Sequence, residues 1–206
     1  MARRKSRILS SLLLLSVGIA AGWWIARHGL PLLQTAVAPS PAPAAGDIRR
    51  VDFRNFTYPA LCAEENGLGG GIPVRDGEYA KEDEFGRLYF SIISVSYGDL
   101  TGDTAPEAAV TAICNTGGTG QFSEGMVFSM QEGKPVLIDR IEGGDRAYGG
   151  IVAITVEDRR LVVERYATDE GGPSCCPRYI DTTWLGWDGT RLVQEEDTSR
   201  RPAPGD

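Results

Sequence analysis

Histidine is nearly missing from this 206-residue chain: the single one, His28, lies upstream of the region that reads as folded. Nucleophilic catalysis by a Ser-His-Asp or Cys-His set needs an imidazole base beside the nucleophile, so that chemistry has no base in the body. Histidine-ligated metal sites are excluded there for the same reason. Cysteine is scarce too. The four cysteines, Cys62, Cys114, Cys175 and Cys176, lack the paired C-x-x-C spacing by which zinc ribbons are recognised. Basic runs are absent beyond the first seven residues, which removes the electrostatic footprint of a nucleic-acid binder. Internal repeats are also lacking, so a repeat propeller is not implied.

What is present divides sharply by charge. Residues 1–46 carry five Lys/Arg and no acids, which leaves 16 basic against 28 acidic groups in the other 160 residues, a net of −12. The basic head is followed at 8–26 by ILSSLLLLSVGIAAGWWIA, 19 residues without a charge. At about 1.5 Å per helical residue this run spans close to the ~30 Å hydrocarbon core of a bilayer. One N-terminal transmembrane helix is expected. Arg3, Arg4, Lys5 and Arg7 should hold residues 1–7 in the cytoplasm, with Trp23 and Trp24 at the far interface, so the body is expected outside it. The resulting localisation is a single-pass inner or cytoplasmic membrane protein whose body is periplasmic or at the cell surface. A cleaved signal peptide ending near Ala38 is the competing reading, though its apolar region would be unusually long. Residues 27–47 are rich in Pro and Ala in their second half and should act as a semi-rigid spacer.

The body, 48–194, reads as strands. In 88–97, LYFSIISVSY, apolar residues alternate onto both faces, as in a strand covered on both sides. Further β-rich runs are expected at 107–114, 124–131, 135–141, 150–157, 160–167, 178–187 and 190–194, with hairpin turns at 131–134, 157–160 and 188–189. The expected fold is therefore all-β, an antiparallel sandwich or open barrel of short strands. Residues 195–206 are polar and read as a disordered tail.

The segment YGDLTGDTAPEA (97–108) carries oxygen-bearing groups at alternating positions. Asp99, Thr101, Asp103, the Ala105 carbonyl and Glu107 fall where positions 1, 3, 5, 7 and 9 of a calcium loop would supply ligands. Position 12 is Val110, which rules out an EF-hand. The loop resembles instead the single-loop calcium site of FG-GAP and VCBS-type repeats. It departs from that pattern at Thr101, and at Thr104, where glycine normally stands. The alternative is a pair of side-chain-to-backbone turns built on Asp99 and Asp103.

Taken with GGDRAYGGI (143–151), CCPRYIDTTWLGWDGTRLV (175–193), FTYPALC (56–62) and VRDGEY (74–79), this segment gives the chain a wider likeness. It resembles a family of uncharacterised exported or membrane-anchored bacterial proteins that share G-D-L-T-G-D, G-D-R-x-x-G-G-I and C-C-P signatures. The resemblance implies location and fold class across roughly residues 53–194, and no activity. Asp145 and Arg146 are candidate ligand-loop residues, with loop fixing as their other role.

In an oxidising compartment the four cysteines allow three pairings. Cys62 with Cys114 would leave Cys175 and Cys176 for each other. The crossed arrangement would staple three strands. A vicinal redox switch at Cys175 and Cys176 and a four-cysteine zinc site are the other readings. For function, the sequence leads us to expect a non-catalytic binding or structural role in the envelope, with a protein or glycan partner and calcium as a stabilising ion. The alternative is a carboxylate-dependent hydrolase acting on an envelope glycan, with Glu142, Asp145, Asp169 and Glu170 as candidates.

Overall fold

A computed structural model describes residues 46–204 apart from 84, 85 and 174. The segment expected to be a transmembrane helix and nearly all of the spacer lie outside the described residues. Among the described residues no helix is long and apolar enough to cross a membrane.

The body is all-β, as expected, with one short helix. A 3-10 turn at Ile48–Arg50 leads through β1 (Thr57–Tyr58), α1 (Leu61–Glu65) and β2 (Ile72–Pro73) into the main strands. These are β3 (Glu78–Asp83), β4 (Gly86–Gly98), β5 (Glu107–Asn115), β6 (Phe122–Gln131) and β7 (Lys134–Asp145), then β8 (Ile151–Glu157), β9 (Arg160–Ala167), β10 (Tyr179–Trp187) and β11 (Leu192–Pro202). β3 to β7 form a five-stranded antiparallel meander and β8 to β11 a four-stranded one, and neither sheet closes.

Strand periodicity explains how the two sheets share a core. In β5, Ala108, Val110, Ala112 and Cys114 point to one face, where they meet Ile48, Phe53, Tyr58, Ile72 and Val74 of the N-terminal segment. Ala109 points the other way, into a second cluster with Val127, Ile141, Ile151, Ile154, Leu161 and Val163. The five-stranded sheet is thus covered by the N-terminal segment on one face and in part by the second sheet on the other; β4, expected to be covered on both sides, instead leaves Tyr89 and Ile93 exposed, with a register shift between Ile92 and Ser94 breaking its alternation. Such a central layer reads as a near-continuous apolar run, which is why β5 was legible. The Tyr58 hydroxyl donates to the Phe53 carbonyl at 2.5 Å, so burying the ring leaves no polar atom unmet.

The expected hairpin turns are present. Glu132-Gly133 and Asp158-Arg159 connect their strands with positive φ at both residues, the twist that two-residue hairpins require. The third connection is longer: Asp188 accepts amide hydrogen bonds from Thr190 and Arg191 before β11 begins. β11 itself corrects the expected boundary. It runs through Pro202, pairing Arg201 with Ile180 and Pro202 with Tyr179, where a disordered tail was expected from 195. Its side chains are polar because it is an edge strand, and Arg200 reaches across to Asp181 with two hydrogen bonds at 2.6 and 2.7 Å.

Candidate functional site

The calcium-like loop, residues 99–106, joins β4 to β5, and its carboxylates are turned onto its own backbone. Asp99 accepts from the amides of Gly102 (2.6 Å) and Thr104 (3.3 Å), and Asp103 from that of Ala105 (2.8 Å). These are the bonds of the turn alternative. Thr104 adopts φ 74°, a conformation unfavourable for a β-branched residue, and the Asp99 carboxylate holds it there. Glu107 is fully buried at the start of β5. One of its oxygens accepts from the amides of Leu100 (2.9 Å) and Thr101 (3.1 Å), and the other from the Ser129 hydroxyl of β6 (3.3 Å). Burial pushes its carboxyl above the usual range despite those donors, and Asp103 pushes the same way. Among the described residues no three acidic, cysteine or histidine groups are arranged to hold a metal ion.

Most of the remaining chemistry sits at the other end of β8. There the chain leaves the first sheet through residues 146–150, which among the described residues is the only passage of the chain between the two sheets. The passage is fixed by hydrogen bonds: Gly150 amide to Arg146 carbonyl (2.8 Å), Gly149 amide to Tyr166 carbonyl (3.0 Å) and Tyr166 amide to Gly150 carbonyl (2.8 Å). Asp145 accepts from the Gln121 amide (2.8 Å) and from Arg146 Nε (3.2 Å), so both candidate ligand residues serve to fix the loop. A Cβ on Gly144 would stand 1.7 Å from the Tyr148 carbonyl oxygen. Only glycine fits this crossing. The buried Ser123 hydroxyl completes it, accepting from the Ile151 amide at 2.6 Å and donating to the Gly144 carbonyl at 3.3 Å.

Beside the crossing, Cys62 of α1 is bonded to Cys114 of β5 with Cα atoms 6.6 Å apart, and both cysteines are buried. Cys175 is bonded to Cys176, so among the described residues no cysteine is free and the crossed pairing is replaced by this one. The same neighbourhood holds a charged clamp that the sequence reading missed. Glu124 of β6, 7% exposed, accepts from the Leu61 amide at 3.0 Å and from Arg140 Nη1 at 2.5 Å. Arg140 also donates to the Pro59 carbonyl. Burial raises the Glu124 carboxyl, outweighing the Leu61 amide and Arg140. The signal was present in the sequence: Glu124 shares its strand face with Met126 and Phe128, where a charge is out of place.

The chain matches no family model, no curated protein and no solved structure. Its site must be argued from geometry alone.

Of the carboxylates proposed for glycan chemistry, Glu142 stands directly across from Glu124 in the β6–β7 register. Both line a cavity of about 300 Å³ with Leu61, Cys62, Cys114 and Phe122. Each Glu124 oxygen already accepts a hydrogen bond, which suits a charged acceptor and does not suit a proton-carrying general acid. Asp169 is paired with Arg178 at 2.5 Å and Asp145 is committed to the crossing loop.

Proposed function

We propose that the chain is a membrane-tethered, extracytoplasmic β domain with a non-catalytic binding or structural role in the bacterial envelope. Residues 8–26 form its anchor and 27–47 hold the body off the membrane. The observation that carries this reading is the buried Cys62–Cys114 bond, which ties the N-terminal segment to the central strand of the larger sheet. Disulfides persist in oxidising compartments and are rare in a reducing cytoplasm. The basic-flanked apolar run at 8–26 independently directs the body to the oxidising side. The likeness to exported bacterial proteins through GDLTGD, GDRxxGGI and CCP agrees with that placement. Membership of such a family is part of the proposal.

The non-catalytic reading stands ahead of the glycan hydrolase because Glu124, the buried carboxylate in the cavity beside the Cys62–Cys114 bond, is locked by two donors. At 99–107 both Asp99 oxygens and one Asp103 oxygen already accept loop amides, so the loop is closed by its own hydrogen bonds. Calcium is therefore kept apart from the main reading and is tested separately. The test of location is fractionation with thiol labelling of intact cells. The full-length protein should sediment with membranes, resist carbonate extraction, and take up a maleimide only after reduction. Recovery in the soluble cytoplasmic fraction with free thiols would overturn the proposal.

A further inference from the structure

Arg165 in β9 lies in the face-forming series of Leu161 and Val163, the inward residues of the second sheet. It sits at the end of that face, partly buried, and the one hydrogen bond of its guanidinium among the described residues is to the Thr183 hydroxyl of β10 at 3.1 Å. A guanidinium has five N–H donors, and burial of this one, which lowers its pKa, is met by no carboxylate among the described residues. Asp181 stands across from it in the β9–β10 register, but Arg200 takes both Asp181 oxygens. Asp169, the next acid along the wall, is held by Arg178.

Around Arg165 is an open cavity of about 430 Å³. Its walls come from two loops that the sequence reading singled out for other reasons: Tyr148 and Gly149 of the sheet crossing, and residues 167–171 that lead to the CCP segment. The loops are joined by the Tyr148 hydroxyl, which donates to the Gly172 carbonyl at 2.5 Å. The Tyr148 side is 55% exposed and offers an aromatic surface beside the cation. Thr168, also in the wall, has a buried hydroxyl with no hydrogen-bond partner. The cavity thus combines an uncompensated guanidinium fork, an aromatic face and walls whose Asp169 and Asp181 charges are already neutralised.

We propose that this cavity binds a small organic monocarboxylate, its carboxylate on the Arg165 fork and its apolar body on Tyr148. Arginine is suited to the task because its planar fork meets both carboxylate oxygens, where an ammonium offers a point charge. A multiply charged anion such as phosphate is disfavoured, because Glu170 in the same wall adds an acid that no arginine offsets among the described residues. The inference is independent of the membrane tether, so cell fractionation and ligand binding can fail separately.

The test uses the full chain in non-ionic detergent with benzoate as the probe, followed by ligand-observed saturation-transfer NMR. Micelles without protein correct for partitioning. A ligand of this size should bind with a Kd on the order of millimolar. Benzamide, with the same ring and no charge, should bind at least tenfold more weakly. Arg165→Gln should weaken benzoate binding tenfold or more, and Arg165→Lys should weaken it less. Both variants are checked for an unchanged circular-dichroism spectrum and a cooperative melt. If Arg165→Gln does not fold, Tyr148→Ala supplies the second arm and should also weaken benzoate. The proposal is overturned if benzoate does not saturate, if benzamide binds equally, if the variants that fold bind like wild type, or if inorganic phosphate binds more tightly than benzoate.

Discussion

Replacing Glu107 separates a structural lock from a metal ligand. Its carboxylate accepts from two backbone amides and the Ser129 hydroxyl, with Leu100 itself 2% exposed. Glu107→Ala strands the buried Leu100 amide, at about 1–3 kcal/mol, and a second amide that can regain some water. The total is about 3 kcal/mol, or a fall in melting midpoint of roughly 6–12 °C for a body of this size. Glu107→Gln keeps an oxygen for the two amides and an NH2 that can reach Ser129, so it should cost about 1 kcal/mol or less at pH 7.

The sign of the pH dependence follows from burial. The Glu107 pKa is raised in the fold, so the charged form is penalised there and wild type gains stability relative to Glu107→Gln as pH falls from 7 through that raised pKa. Thermal melts of both variants at pH 7 and about pH 5, each with ~1 mM calcium and with chelator, check the reasoning. With both Asp99 oxygens on loop amides and Glu107 buried on its own donors, calcium is expected to leave the wild-type midpoint unchanged. A calcium-dependent rise of roughly 5–10 °C, abolished by both Glu107→Gln and Asp99→Ala, would refute the lock and restore a metal loop.

Three further outcomes are expected. Removing the Cys62–Cys114 bond as the double alanine variant frees a loop of 52 residues and should cost about 4 kcal/mol by the chain-entropy model, measured by denaturant unfolding. Arg140→Ala leaves Glu124 buried without its counter-charge and should cost about 3–5 kcal/mol, whereas the paired change Arg140→Met with Glu124→Leu should recover much of that loss; a double-mutant cycle showing no coupling would remove the clamp. Gly98→Ala would place a Cβ 2.9 Å from Val156 Cβ and force the sheets apart, at about 1–3 kcal/mol, and an unchanged midpoint would mean the sheets approach less closely there.

How much of this was legible varies from strand to strand for physical reasons. β5 and β9 carry apolar residues on alternate or both faces, and the expected 107–114 and 160–167 match the observed Glu107–Asn115 and Arg160–Ala167 closely. β1 and β2 have two residues each, too short for any periodicity to register, and are held by Phe56, Tyr58 and Ile72 packing on the larger sheet. β11 was cut short because Glu195, Glu196 and Asp197 read as a solvated tail, although an exposed edge strand has every reason to be polar. Pairing of the neighbouring Cys175 and Cys176 was one of three arrangements open from spacing, and only the position of Cys62 against Cys114 decided among them. For the sites, the sequence pointed to the loops and missed the strand residues. Glu124 and Arg165 are single charges in phase with apolar neighbours, and that phase mismatch was the available signal.

The crossing between the sheets also forms part of the proposed ligand cavity, so binding there would be coupled to stability. Residues 146–150 carry the chain from one sheet to the other, and Gly144 and Ser123 let it pass only by close approach. Tyr148 and Gly149 of that passage also form one wall of the Arg165 cavity. A ligand that draws Tyr148 toward Arg165 therefore acts on the strap that joins the sheets, whereas the 99–106 loop at the far end of β8 has no such connection. The far loop closes on its own amides, and its strain is confined to Thr104. The two ends of β8 thus differ in how far their charges are met: Glu107 is buried and bonded by its own donors, whereas the Arg165 guanidinium, the group of the proposed site, has only the Thr183 hydroxyl.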